Sequence, residues 1–260
     1  MEFERAKLEI EGSVGIIKLN HPEVMNAVSP EMVGGLMKAL DEVARHRDEV
    51  RCVIITGEGR GFCAGANLQP SPGERGDAGS LLETVFHPFL RRLRELPVPL
   101  ITAVNGAAAG VGMSFALMGD LVLCAQSAYF LQAFRRIGLV PDGGSTWLLP
   151  RLIGKARAIE LSLLGERLPA AKALEWGLVN RVFADDQLMK NALEMGRELA
   201  AGPTIALGLI RQLYWESPDN TYEEQLNLER QMQRKAGATA DFKEGVRAFL
   251  QKRPANFKGV

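Results

Sequence analysis

Two stretches of small residues stand where backbone, rather than side chain, could do chemistry. Gly57–Leu68 (GEGRGFCAGANL) follows the apolar run RCVIIT, and Asn105–Asp120 (NGAAAGVGMSFALMGD) follows a second such run and opens a helical pattern. Small side chains let the backbone approach a ligand closely and turn its N–H groups outward. A helix N-terminus adds unpaired donors and the positive end of the helix dipole, which suits an anion or a developing oxyanion. Glycine-rich strand-to-helix turns also serve dinucleotides, phosphates or plain packing, but neither stretch fits GxxxxGK(S/T) or GxGxxG. His21, His46 and His87 have no metal-ligand spacing and no paired nucleophile, so each reads as a surface or loop histidine. Cys63 sits inside the first stretch without a partner base and reads as a small buried hydrophobe. No metal or redox cofactor is expected.

The elements that would carry these stretches alternate strand and helix through the first half of the chain. A hairpin is expected from Phe3–Ile10 and Val14–Asn20 across Glu11-Gly12-Ser13. Ser29 and Pro30 make a cap and first-turn proline, followed by apolar residues at helical spacing from Met32 to Ala44. Arg51–Thr56, Leu100–Val104 and Leu121–Ala125 are short apolar runs of the kind buried in a mostly parallel sheet. Leu81–Leu96 and Gly112–Met118 are the candidate crossover helices between them, which argues for an α/β domain with right-handed crossovers. From about Ser145 the strand signal fades, and the chain ends in helical patterns over Asp185–Ala201, Pro203–Trp215, Tyr222–Lys235 and Asp241–Gln251. We divide it into a 1–200 α/β core and a 201–260 helical C-terminal region. Gln69–Gly79 has the Pro, Gly and charge content of a loop bordering a site.

Composition narrows the function classes. With 31 Lys plus Arg against 31 Asp plus Glu, no global field draws the chain to nucleic acid or an anionic membrane. Three cysteines match neither a disulfide framework nor a zinc site, and no segment approaches about 18 uninterrupted apolar residues. The charged N-terminus lacks the apolar core of a signal peptide, so a soluble cytoplasmic protein is expected.

A strand followed by GFCAGANL and, about forty residues later, PVPLITAVNG with its glycine-rich turn, resembles the crotonase superfamily of enoyl-CoA hydratases and isomerases. LNHPEVMNAVS is similar to that family's first CoA-binding segment, LPAAKALEWGLVNRVF to a later helix and turn, and ANFKGV to its tail. The resemblance implies an α/β, crotonase-like spiral of ββα units with a helical C-terminal trimerisation region. It also implies an acyl-CoA thioester substrate, coenzyme A being part of the substrate, and a homotrimer or a hexamer built as a dimer of trimers.

Carried over by position, the oxyanion hole would be the backbone N–H groups of Ala66 and Val111, two fixed donors for charge that appears only when a thioester enolate forms. Met25, Ala64, Ala66 and Leu68 would lie along the pantetheine and adenine, and Phe257 and Lys258 near adenine and phosphates, often across a subunit boundary. The two glutamates of the hydratase pattern are replaced by Ser114 and Phe134, neither of which can do that proton chemistry alone. Asp142, in IGLVPDGGSTWLLPR, matches the acid of family members that isomerise enoyl-CoA double bonds, and this stretch is especially like the PaaG-type isomerases of phenylacetate degradation. A lone carboxylate in an apolar pocket could shuttle a proton from C2 to C4. Its plain alternative is a cap on the helix starting near Ser145. Two other functions remain open: a hydratase drawing acid–base residues from Gln69–Gly79, and a CoA-binding scaffold that has lost its chemistry.

Overall fold

The computed structural model describes residues 1–68, 77 and 79–260, so the expected Gln69–Gly79 loop lies almost wholly outside the described residues. A short β1 (Glu2–Phe3) pairs with β2 (Ala6–Glu11), which forms the expected hairpin with β3 (Val14–Leu19). The chain then enters α1 (Pro30–Arg45), where the Ser29 side chain accepts from the Met32 N–H and Pro30 occupies the first turn. Met32, Leu36, Leu40 and Val43 are buried along one face of that helix.

The next strand, β4 (Cys52–Gly57), is buried at every position, as a central strand of a parallel sheet should be. The run expected as one helix over Leu81–Leu96 is instead a π-helical turn, Leu82–Phe86, leading into α2 (His87–Arg94). Pro88 has no N–H to donate to a preceding carbonyl, and the His87 N–H reaches back five residues to the Leu82 carbonyl.

After α2 the chain repeats a ββα unit. β5 (Leu100–Val104) runs directly into β6 (Ala107–Ala109) and then α3 (Val111–Ala116), shorter than the Gly112–Met118 expected. β7 (Leu121–Ala125) runs likewise into β8 (Tyr129–Leu131) and, past a 3-10 turn at Phe134–Ile137, into α4 (Ser145–Ile153). Then follow α5 (Lys155–Leu164), β9 (Arg167–Pro169), α6 (Ala170–Glu175), β10 (Arg181–Phe183) and α7 (Leu188–Ala201). The first strand of each unit joins a seven-stranded sheet ordered β1-β2-β3-β4-β5-β7-β10, parallel from β3 onward. The second joins a smaller sheet, β6-β8-β9. β9 and β10 fall where the strand signal fades and helical patterns dominate; at three residues each they are too short to show alternation.

Helices cover both faces of the large sheet. Gly15 lies against Val43 of α1, whereas its neighbour Val14, facing the other way, meets Gly196 of α7. The chain closes with α8 (Thr204–Glu216), α9 (Tyr222–Gly237) and α10 (Ala240–Leu250). Arg211 of α8, 5% exposed, binds Asp120 at 2.6 Å and the carbonyls of Leu93, Arg94 and Leu96. That single buried cation ties the C-terminal helices to the end of α2 and the start of β7.

Candidate active site

Backbone pairing draws the two glycine-rich stretches together. The Cys63 N–H donates to the Ala107 carbonyl at 2.8 Å and the Ala109 N–H to the Cys63 carbonyl at 2.9 Å. A side chain on Gly112 would run into the carbonyl and Sγ of Cys63, so α3 can sit on the first stretch only because that residue is glycine. Gly65 and Gly110 then approach so closely that a Cβ on Gly110 would lie 3.8 Å from the Gly65 Cα. Their successors, Ala66 and Val111, are thereby neighbours. Gly110 carries the left-handed φ of +52°, which leaves the branched Val111 an ordinary helical conformation.

The N–H groups of these two neighbours donate to nothing among the described residues, whereas those of Ala64, Asn67, Gly110 and Met113 are engaged. Ala66 is exposed and Val111 buried. Cys63, fully buried, has its thiol pushed up to about 12 by burial and stays protonated, in keeping with a packing role.

The early segment expected to hold CoA runs beside the first stretch. The Ala64 N–H donates to the Met25 carbonyl at 2.9 Å, the Val28 N–H to the Gly65 carbonyl and the Asn67 N–H to the Val28 carbonyl, both at 2.7 Å. Met25 takes a left-handed φ of +51°, held there by the buried Asn26, whose amide donates to the carbonyls of Glu58 and Gly61. Met25, Ala64, Ala66 and the exposed Leu68 therefore share one edge with the free N–H groups.

Phe257 and Lys258 are placed elsewhere. The Lys258 and Gly259 N–H groups donate to the buried Asp241 carboxylate, and Arg51 donates to the Phe257 carbonyl. Arg51 precedes β4, and the site follows the other end of that strand, about 20 Å away at ~3.3 Å per residue. Within one chain the tail and the site are not brought together.

Asp142 meets α3 at Ser114. Its carbonyl accepts from the Ser114 hydroxyl at 3.0 Å, the Ser145 hydroxyl at 2.9 Å and the Ser145 N–H at 3.1 Å. Its carboxylate caps nothing: α4 has Gly144 at its cap without a side-chain bond, and Asp142 Oδ1 is buried with no partner. Burial pushes the Asp142 carboxyl up to about 6. Phe134, in the other hydratase position, is buried with its ring near the site of a Gly110 Cβ, so an apolar wall stands where a second carboxylate could have been.

Beside Gly143 and Gly144 opens a cavity of about 250 Å³ lined also by Leu90, Met118, Leu148 and Trp147. Sequence reasoning missed it, because its walls come from α2, α4, α8 and the turns that follow α3 and precede α4, and no local pattern marks them. A larger cleft of about 600 Å³ lies between α4 and α8 and contains none of the candidate residues. Trp147 and Trp215 stack between the two, with ring centroids 6.0 Å apart and planes 13° apart. Among the described residues no cluster of His, Cys, Asp and Glu could hold a metal ion, and no helix is long and apolar enough to cross a membrane.

Comparison with known proteins agrees in kind. The model of the enoyl-CoA hydratase/isomerase family matches residues 9–260. The 1,2-epoxyphenylacetyl-CoA isomerase of Escherichia coli (strain K12) is 47% identical over 255 residues, covering 96% of this chain and 97% of that protein. A protein of Rhodobacter capsulatus named as a probable enoyl-CoA hydratase is 40% identical over 259 residues and the whole of both chains. The solved structure of an enoyl-CoA hydratase subunit from Geobacillus kaustophilus HTA426 superposes with a TM-score of 0.93 at 36% identity, over 100% of each chain.

Proposed function

The chain belongs to the enoyl-CoA hydratase/isomerase family and has its crotonase fold, and on that premise we propose that it is an enoyl-CoA isomerase with Asp142 as its single acid–base group. The observation that carries this reading is the lone, unpartnered carboxylate of Asp142 beside α3, with Ser114 and Phe134 in the two positions where the hydratase pattern has glutamates. The ionised carboxylate takes a proton from C2 of a 3-enoyl thioester. The electron pair moves into the thioester carbonyl, whose oxygen becomes an anion held by the N–H groups of Ala66 and Val111. Charge held by donors that need not reorganise is the main source of acceleration. The protonated Asp142 then returns the proton to C4, leaving the double bond between C2 and C3. One proton leaves and one returns, so neither water nor a metal or redox cofactor is consumed.

A ring-epoxide thioester of the kind the 47% identical relative is named for would share only the enolate held by Ala66 and Val111, because its isomerisation must also rearrange bonds of the epoxide. Met25, Ala64 and Leu68 supply the edge for the CoA portion. Phe257 and Lys258 would reach it only in the site of another subunit, which fits a trimer or a dimer of trimers working in the cytoplasm. The test offers the purified protein a 3-enoyl-CoA and, separately, a 2-enoyl-CoA in water, following the absorbance of the conjugated thioester. Growth of that signal from the 3-isomer is expected. Its rapid loss from the 2-isomer, with no turnover of the 3-isomer, would establish hydration instead, and tight acyl-CoA binding without either would point to a scaffold.

A further inference from the structure

The carboxylate of Asp142 is free, but its backbone is not. Three donors converge on one carbonyl oxygen, those of the Ser114 hydroxyl, the Ser145 hydroxyl and the Ser145 N–H. Ser145 belongs to the helix that Asp142 precedes, so its two bonds are local. Ser114 is different: it is fully buried, 28 residues away in sequence, and sits one turn after Val111 on the same face of α3. It is the described hydrogen bond that joins the loop of the proton carrier to the helix of the buried oxyanion donor.

The fit at this contact is as telling as the bond. Gly143 has a φ of +60°, and a Cβ placed on it would come 2.8 Å from the Ser114 Cβ, 2.9 Å from its hydroxyl oxygen and 3.3 Å from Val111 Cγ2. The turn at 142–144 therefore occupies the volume directly over residue 114. A side chain two atoms longer than serine would have to enter the space filled by the Gly143 backbone, and close-packed interiors do not yield such space without displacing the turn.

We infer that Ser114 is a positioning residue: its hydroxyl pins the Asp142 carbonyl to α3, and its small size admits the turn, so that a carboxylate at 142 and one at 114 are alternative occupants of one site. The inference rests on Asp142 being the proton carrier. It explains why the family's hydratase layout cannot be restored here by one substitution. Glutamate at 114 would displace the turn that holds the existing acid while Phe134 still withholds the second carboxylate.

The test measures kcat, KM, the low-pH inflection of kcat/KM and folding, by circular dichroism, for Asp142→Asn, Ser114→Ala and Ser114→Glu with a 3-enoyl-CoA. Ser114→Ala removes only one oxygen and is expected to fold. Losing the anchor should lower its kcat by about ten- to hundredfold, as small misplacements of reacting groups do, with KM changed by less than about twofold and the inflection shifted from that of the parent. A change in packing alone would move stability without moving the inflection. Ser114→Glu is expected to lose isomerisation and to gain no hydration of a 2-enoyl-CoA. If Asp142→Asn turns over normally, the base assignment fails and this inference with it. If Asp142→Asn is inactive while Ser114→Ala keeps the parent kcat and inflection, the positioning role alone is overturned. Isomerisation by Ser114→Glu at the parent rate would overturn the mutual exclusion.

Discussion

In the role proposed for it, Asp142 combines two properties that are in tension, a need for its ionised form and a setting that disfavours the ion. Burial pushes its carboxyl up to about 6, and no neighbouring cation offsets it. As a base it must be deprotonated, so kcat/KM for isomerisation should rise with pH, inflect near about 6 and level off above. Removing the carboxylate should abolish turnover in Asp142→Asn and leave acyl-CoA binding by calorimetry within a few-fold. The same shift carries a stability consequence with a definite sign. A carboxyl whose folded pKa is raised binds protons more tightly folded than unfolded, so it favours the fold at low pH and penalises it as pH rises through the shifted value. Asp142→Asn should accordingly have a higher Tm than the parent at pH 8, with the gap closing toward pH 4. A gap of the same size at both pH values would show that the charge is not what strains the site.

At the scale of elements, the glycines and the buried arginine hold the arrangement. Gly112→Ala should disrupt the seating of α3 on Cys63, because the obstruction includes backbone oxygen that cannot swing away. Arg211→Ala takes one partner from the Asp120 carboxylate, which keeps the Leu100 N–H, and removes the donor from the carbonyls of Leu93, Arg94 and Leu96. Leaving buried carbonyls without that donor should cost about 1–3 kcal/mol, to be read as a lower urea midpoint.

The elements differ in how plainly they could be read. β4, β5 and β7 were legible as apolar runs, and Ser29-Pro30 marked the start of α1, because each is a local pattern of adequate length. β6, β8, β9 and β10 were not, being strands of three residues whose partners lie far away in sequence. The site divides along the same line. Ala66 and Val111 were named through the family resemblance that their two glycine-rich stretches carry, and both of their N–H groups are without a partner among the described residues. The contact of Ser114 with Asp142, and the cavity beside Gly143, come from the stacking of successive ββα units and leave no trace in spacing.

Across the whole molecule, the last helices leave large apolar side chains uncovered. Tyr214, Phe249 and Leu250 are 77%, 82% and 74% exposed, large apolar side chains on the last helices of the chain. If these helices make the subunit contacts, Phe249→Lys with Leu250→Lys should sediment as a smaller species than the parent, with the α/β core still folded. The tail gives a second test. Phe257 and Lys258 are fastened by Asp241 and Arg51 at the far end of β4 from their own site, and the Lys258 side chain makes no ion pair among the described residues. Lys258→Ala should raise KM for acyl-CoA several-fold with kcat unchanged, and should not alter KM for a pantetheine thioester that lacks the nucleotide.

The stacked Trp147 and Trp215 also make the protein optically self-reporting. Two nearly parallel indoles 6.0 Å apart are close enough for their transitions to couple, and Arg151 and Arg94 lie over the rings as fixed charges. Because Trp147 forms part of the cavity wall beside Gly143, an acyl group entering there changes the surroundings of one member of the pair. Occupancy should thus be visible in emission intensity and in the near-ultraviolet dichroism of the unlabelled protein, before any chemistry has occurred.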